Sequence, residues 1–353
     1  MLRRFSTAFG LVAAAVMLAS AQTSRNIPRM PDGHPDLQGT YDIATLTPLE
    51  RPGGQPLSLS DQDAAKLEKQ AADRKFRAGL PSRGDRPSPP VGGDGSTGAA
   101  GNVGGYNIFW IDSGSRYVMV DGRRRSSLII DPPDGHVPQL TPAARQRAAA
   151  RAARPTSDQQ AREDDARLVT APGEYDDPER RPLGERCLLG FGSTSGPPAL
   201  PVLYNNLHQI VQTPGSVLIL NEMDHDARVI RMGDQHLPRG IRKWLGDSVG
   251  RWDGDTLVVD TTNFTDKTRF RGSSENLHVV ERFTRVDSKT LLYRFTIEDP
   301  DTWTSTWMGE YTWPATDEHV YEYACHEANY ALGDILRGAR LNEADDAATK
   351  GKK

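Results

Sequence analysis

At 353 residues, with a formal net charge of −4 and a mean hydropathy of −0.59, the chain is long enough for one large domain or two modest ones. A sequence pI near 6.1 leaves no basic footprint, which argues against nucleic acid or an anionic membrane surface as a partner.

The first residues read as a secretory signal peptide. Arg3 and Arg4 form a positive n-region, residues 11–18 an apolar h-region, and Ala19, Ser20 and Ala21 a small-x-small cleavage site. Cleavage near Ala21 is expected to release a periplasmic or secreted protein. No cysteine at the cut would carry a lipid, and no later stretch of about 20 apolar residues would span a membrane.

Residues 22–58, rich in proline and turn formers, read as an extended arm. Ser60 followed by Asp63 resembles a helix start, and 64–76 has helical composition. The glycine-, proline- and serine-dense stretch 83–105 reads as a flexible loop or linker. Strand signals follow at 106–111, 115–120 and 126–130, closed by a turn at 131–135. Pro142 at a first helical position opens an alanine- and arginine-rich surface helix that Pro155 would break, and 176–198 is loop-like.

A β-rich body begins near Leu207. Strands are predicted at 210–213, 216–221 and 227–232, followed by a polar connection through Trp244 and a turn at 250–254. Further strands are predicted at 256–261, 276–285, 290–299, 302–313 and 319–327. Seven to nine antiparallel strands with short connections favour a curled sheet or lipocalin-like β-barrel over an open sandwich. The expected fold is therefore mainly β, with an extended N-terminal arm and short peripheral helices. Its expected segments are a signal peptide (1–21), the arm, helix and linker (22–105), a small β unit with a surface helix and loop (106–200), the barrel-like body (201–335) and a polar tail (336–353).

Parity places the chemistry. Along the last long strand Trp303, Ser305, Trp307, Gly309, Tyr311 and Trp313 share one face, and on the strand before it Leu291, Tyr293, Phe295 and Ile297 do the same. Val279, Glu281 and Phe283 then put one carboxylate among apolar neighbours. Pairing inward with inward predicts a row of Glu281, Phe295, Trp307 and Glu327, two carboxylates flanking an aromatic platform. A carboxyl group in such a pocket is suited to general acid or base work. The competing reading pairs Glu281 with Arg282, Arg285 or Arg294 at the rim of the sheet.

Glu281, His326, Glu327 and His225 are thus the candidate proton-transfer groups. Trp303, Trp307, Tyr311, Tyr323, Phe295 and His208 are the candidate ligand contacts. His208, Glu222 and His225, with His326, would suit a divalent metal if the fold drew them together, but no HExxH or comparable spacing is present and a hydrogen-bonded loop cluster is the plainer reading. No cofactor is predicted: GxSxG, GxxxxGK[ST], GxGxxG between strand and helix, and CxxCH are all missing. Cys187 and Cys325, in an oxidising compartment, form one bridge, remain two buried thiols, or leave Cys325 as a nucleophile.

Residues 41–52 (YDIATLTPLERP), 127–138 (SLIIDPPDGHVP), Arg186 with Cys187, 204–213 (YNNLHQIVQT), 244–247 (WLGD), 254–264 (GDTLVVDTTNF) and 322–327 (EYACHE) resemble a large group of exported bacterial proteins without an assigned activity. The resemblance covers most of the mature chain and implies secretion. Two functions fit the residues. One is an exported lyase or hydrolase acting on a small aromatic or carbohydrate-derived molecule held on the aromatic platform. The other is a noncatalytic, lipocalin-like binder of a small molecule.

Overall fold

The computed structural model describes residues 27–80, 111–152, 178–190, 194, 196–233, 235–267 and 270–350. The expected signal peptide, the linker at 83–105, residues 106–110 of the first expected strand and Pro155 lie outside these residues.

The body is a closed barrel of nine strands. Around the ring run β1 (Gly39–Asp42), β6 (Leu207–Gln212), β7 (Ser216–Asn221), β8 (Ala227–Met232), β9 (Asp247–Asp253), β10 (Thr256–Thr262), β11 (His278–Asp287), β12 (Thr290–Glu298) and β13 (Trp307–Thr316), which returns to β1. Neighbours are antiparallel except β8 and β9, which run parallel after a crossover through residues 233–246. A tenth strand, β5 (Ile129–Asp131), shares the edge of β13 with β1. It pairs at Met308 and Gly309 while β1 pairs at Ala315 and Thr316. Outside the barrel, β2 (Ser58–Leu59), β4 (Arg123–Arg125) and β3 (Met119–Val120) form a small three-stranded sheet.

Local chemistry accounts for most of these elements. Helix α1 (Asp61–Ala78) starts where Ser60 Oγ accepts the Asp63 N–H at 3.1 Å, with Asp61 and Asp63 in the first turn and Lys75 and Arg77 in the last. Helix α2 (Pro142–Ala152) begins with proline and is capped by Thr141, whose Oγ1 accepts the Ala144 N–H at 3.0 Å. Within the barrel, alternate residues of every strand point inward and are buried, as on β11, where Val279, Glu281 and Phe283 are all fully covered.

Four expectations change. Part of the N-terminal arm is β1, and it completes the ring. Only four residues long, β1 has little periodicity, and Tyr41 fixes it by pairing with His208 and donating its hydroxyl to Leu37 O at 2.9 Å. The segment read as a polar connection and turn contains β9, whose inward Gly250 interrupts the apolar alternation. A Cβ there would stand 2.6 Å from Met232 Sδ and 2.8 Å from Ile230 Cγ2, so the neighbouring β8 side chains take up the space. No strand forms at 319–327: β1 and β5 already occupy the outer edge of β13, and a closed barrel offers no other edge. Finally, the expected polar tail belongs to helix α3 (Ala331–Lys350), the last described element.

Candidate functional site

Inside the barrel, the aromatic stripe is where parity put it. Trp307, Tyr311 and Trp313 on β13 and Tyr293 and Phe295 on β12 are at most 1 % exposed. Trp303 precedes the strand, bridges to Leu140 and is also buried, whereas Ser305 is exposed. These rings do not line an open hollow. They pack edge to face, Phe295 on Trp307 at 5.9 Å and Trp303 on Trp307 at 5.8 Å, and form the core itself.

The predicted row holds at its first two places and then slips. Glu281 pairs with Phe295, but Phe295 pairs with Gly309, and Trp307 lies two residues along, opposite Ile297. Residues 299–306 make a longer connection than a tight turn, which is why the register from β12 to β13 could not be set by counting.

Glu281 is fully buried, and its partner is Arg228 on β8, three strands away across the interior. This corrects the expectation of a rim arginine. Arg228 Nη2 donates to Glu281 Oε1 at 2.9 Å, Arg228 Nη1 donates to Oε2, and the Tyr293 hydroxyl donates to Oε1 at 2.8 Å. Both carboxylate oxygens are therefore committed. Arg282 goes instead to Asp253 and Arg294 to Glu310, while Arg285 ties Tyr41 and Asp36 O together at the far end of the barrel.

Thr194 and residues 196–200, which lie in no strand, reach these inward groups. The Ala199 N–H donates to the Tyr293 hydroxyl at 3.0 Å, and the Tyr311 hydroxyl donates to Ala199 O at 2.9 Å. His208, also fully buried, lies with Nε2 2.9 Å from Thr194 O and Nδ1 3.2 Å from Asn206 O. Burial lowers the His208 pKa to about 4, so the ring is neutral at pH 7 and its single N–H can serve only one of the two carbonyls. At the opposite end Leu37, on the N-terminal arm, is held by Gln212 Oε1 at 2.9 Å. Segments outside the strands thus reach side chains near both ends of β6, Thr194 at His208 and Leu37 at Gln212.

The remaining candidates lie elsewhere. Cys187 and Cys325 are bridged, which settles the three readings of the thiols. The bridge holds residues 322–330 against residues 178–190, and beside it opens a groove of about 410 Å³ lined by Gly184, Glu185, Tyr323, Glu327, Leu332 and Ile335. Tyr323 and Glu327 therefore share one surface feature, with His326 exposed next to them and apart from Glu281. His225 is exposed on a tight turn, with positive φ at both Asp224 and His225. Glu222 accepts the Tyr321 N–H at 3.3 Å, and burial raises its pKa. Among the described residues no three His, Cys, Asp or Glu side chains are placed to hold a metal ion.

A polar chain on the outer face went unforeseen. Asp247, His236, Asp260, His278 and Glu298 alternate carboxylate and imidazole, with successive contacts of 3.3, 3.0, 3.1 and 3.1 Å. Asp247 is fully buried and also takes Arg231, Lys243 and the Leu237 N–H, fastening the 233–246 crossover to the barrel. These residues come from five separate positions between β8 and β12, and no short-range spacing announces them.

No protein-family model, curated protein or solved structure matches the chain.

Proposed function

We propose that the protein is an exported, noncatalytic binder of a small molecule, and that the barrel interior at Tyr293, Tyr311, Arg228 and Glu281 is its ligand site. One observation carries the reading: the inward tyrosine hydroxyls, beside a buried ion pair, hold main-chain groups of an incoming segment. A buried ion pair is a poor device for stability, since well-packed apolar residues in its place are often neutral or better. Its presence in an otherwise aromatic core is accounted for if it fixes the Tyr293 proton on Glu281 and so leaves the Tyr293 oxygen to meet a ligand's polar group.

The chemistry favours binding over acid-base turnover. Glu281 already accepts three hydrogen bonds, and His326 and Glu327 are not beside it. Export is supported by the Cys187–Cys325 bridge, which belongs to an oxidising compartment, and by the signal-like first residues. No helix among the described residues is long and apolar enough to cross a membrane.

Titration of the purified mature protein with small aromatic and carbohydrate-derived compounds, followed by tryptophan emission, tests the proposal. Quenching by a compound that mass spectrometry then recovers unchanged is the expected result. Recovery of a product overturns the noncatalytic reading.

A further inference from the structure

Where the inward face meets residues 196–200, the hydrogen bonds have a fixed polarity. Glu281 is ion-paired with Arg228, and a carboxylate only accepts, so the Tyr293 proton is committed to Glu281 Oε1. What Tyr293 offers to the interior is its oxygen lone pair, which takes the Ala199 N–H. Tyr311 lies opposite Tyr293 on the next strand, with the two rings 5.4 Å apart and edge to face, and its own proton goes to Ala199 O. Burial raises both phenol pKa values well above the usual range, so neither hydroxyl loses its proton near neutral pH. Neighbouring side chains thus present one acceptor and one donor that together span the N–H and C=O of a single amino-acid residue.

We propose that the barrel interior recognises ligands carrying an α-amido carbonyl unit, an N–H and a C=O separated by one carbon, as in a short peptide, an N-acyl amino acid or a cyclic dipeptide, and that residues 196–200 occupy this position as an internal stand-in. The inference rests on the interior being the ligand site and adds the class of ligand. An ester or carboxylate at the same place would turn an oxygen lone pair toward the Tyr293 oxygen, which has no proton to give it. The unit should carry a small side chain, because the Ala199 methyl is itself buried at 2 % exposure.

The test uses the full, oxidised protein and two synthetic probes, N-acetyl-prolyl-alanyl-leucinamide and the analogue in which an ester replaces its prolyl-alanyl amide. Pro197, Pro198 and Pro201 have no N–H, so deuterium uptake by a fragment covering 196–201 reports chiefly on Ala199 and Leu200. The amide probe at millimolar concentration is expected to speed that uptake, and the ester to be at least tenfold weaker. Tyr293→Phe should abolish the distinction between the probes, whereas Tyr311→Phe should weaken both alike. If Tyr293→Phe does not fold, the amide-to-ester ratio in the wild type decides alone. Equal response to both probes overturns the ligand class, as does displacement by a sugar or catechol diol when neither probe acts, and in that second case the interior site stands. If neither probes, diols nor aromatic compounds alter uptake or tryptophan emission, the ligand class and the interior site fall together.

Discussion

The Arg228–Glu281 pair yields the sharpest energetic prediction. Arg228 is 3 % exposed and Glu281 is fully covered, so removing either partner strands the other charge inside the barrel. Arg228→Met and Glu281→Leu are each expected to destabilise by about 3–5 kcal/mol, the cost of an uncompensated buried charge. The double variant removes both charges and leaves the Tyr293 proton without an acceptor, a loss of about 1–3 kcal/mol. It should therefore lie only about 1–3 kcal/mol below wild type, against a sum of roughly 6–10 kcal/mol for independent sites, and the shortfall is the coupling energy of the pair. Urea unfolding of all four proteins at pH 7, with disulfides intact and equal m-values, measures it. Single variants that each cost under about 1 kcal/mol, or a double variant equal to the sum, would refute the reasoning. Ligand titration of the double variant then separates stability from recognition: it should fold and, with the Tyr293 proton no longer held by Glu281, lose the preference for an N–H over an ester oxygen.

Gly309→Ala is expected to cost about 1–3 kcal/mol, because a Cβ there would run into the Phe295 ring that lies across it on β12, and Phe295→Leu in the same chain should recover part of the loss in a thermal melt. The contacts of His278 with Asp260 and Glu298 raise its pKa to about 9. Its stabilising contribution should be complete below about pH 6.5 and fade as pH rises through 9, and His278→Gln should flatten the stability profile over that interval. Reduction of Cys187–Cys325, which are 138 residues apart, removes a cross-link worth at most about 5 kcal/mol in chain entropy. The bridge, the sulfur contacts of Cys325 and Asn329 beside it and the Tyr321–Glu222 hydrogen bond hold residues after Thr316 to the body, so limited proteolysis should cut there first in reducing buffer, and equal cutting with and without reductant would contradict this.

Strands β7 and β8, the capped start of α1, the proline start of α2 and the inward parity of β11, β12 and β13 were all legible in the sequence, because each rests on neighbours within a few residues. Strand β9 was not, since Gly250 earns its place only from Met232 and Ile230 on another strand. Of the candidate site, Glu281, Phe295, Trp307, Tyr311 and His208 were read as inward or ligand-facing groups. Arg228, Ala199 and the chain from Asp247 to Glu298 are not legible in the sequence, because partners 53 and 94 residues apart, or 11 to 24 apart without a fixed spacing, leave no local trace.

Alternation along single strands is a property of the backbone pleat, so the chain alone determined which side chains would turn away from water and which carboxylate would go with them. Which strand stands opposite which depends on how the ring closes. Only the folded barrel decided that Glu281 faces Arg228, that Tyr41 seals the seam, that Glu327 stays outside beside a disulfide, and that the inward tyrosines meet the protein's own main chain at Ala199. The physical reason is distance. A pleat repeats every two residues, whereas closure joins β1 to β13 across some 270 residues, and no pattern shorter than the barrel itself encodes that contact.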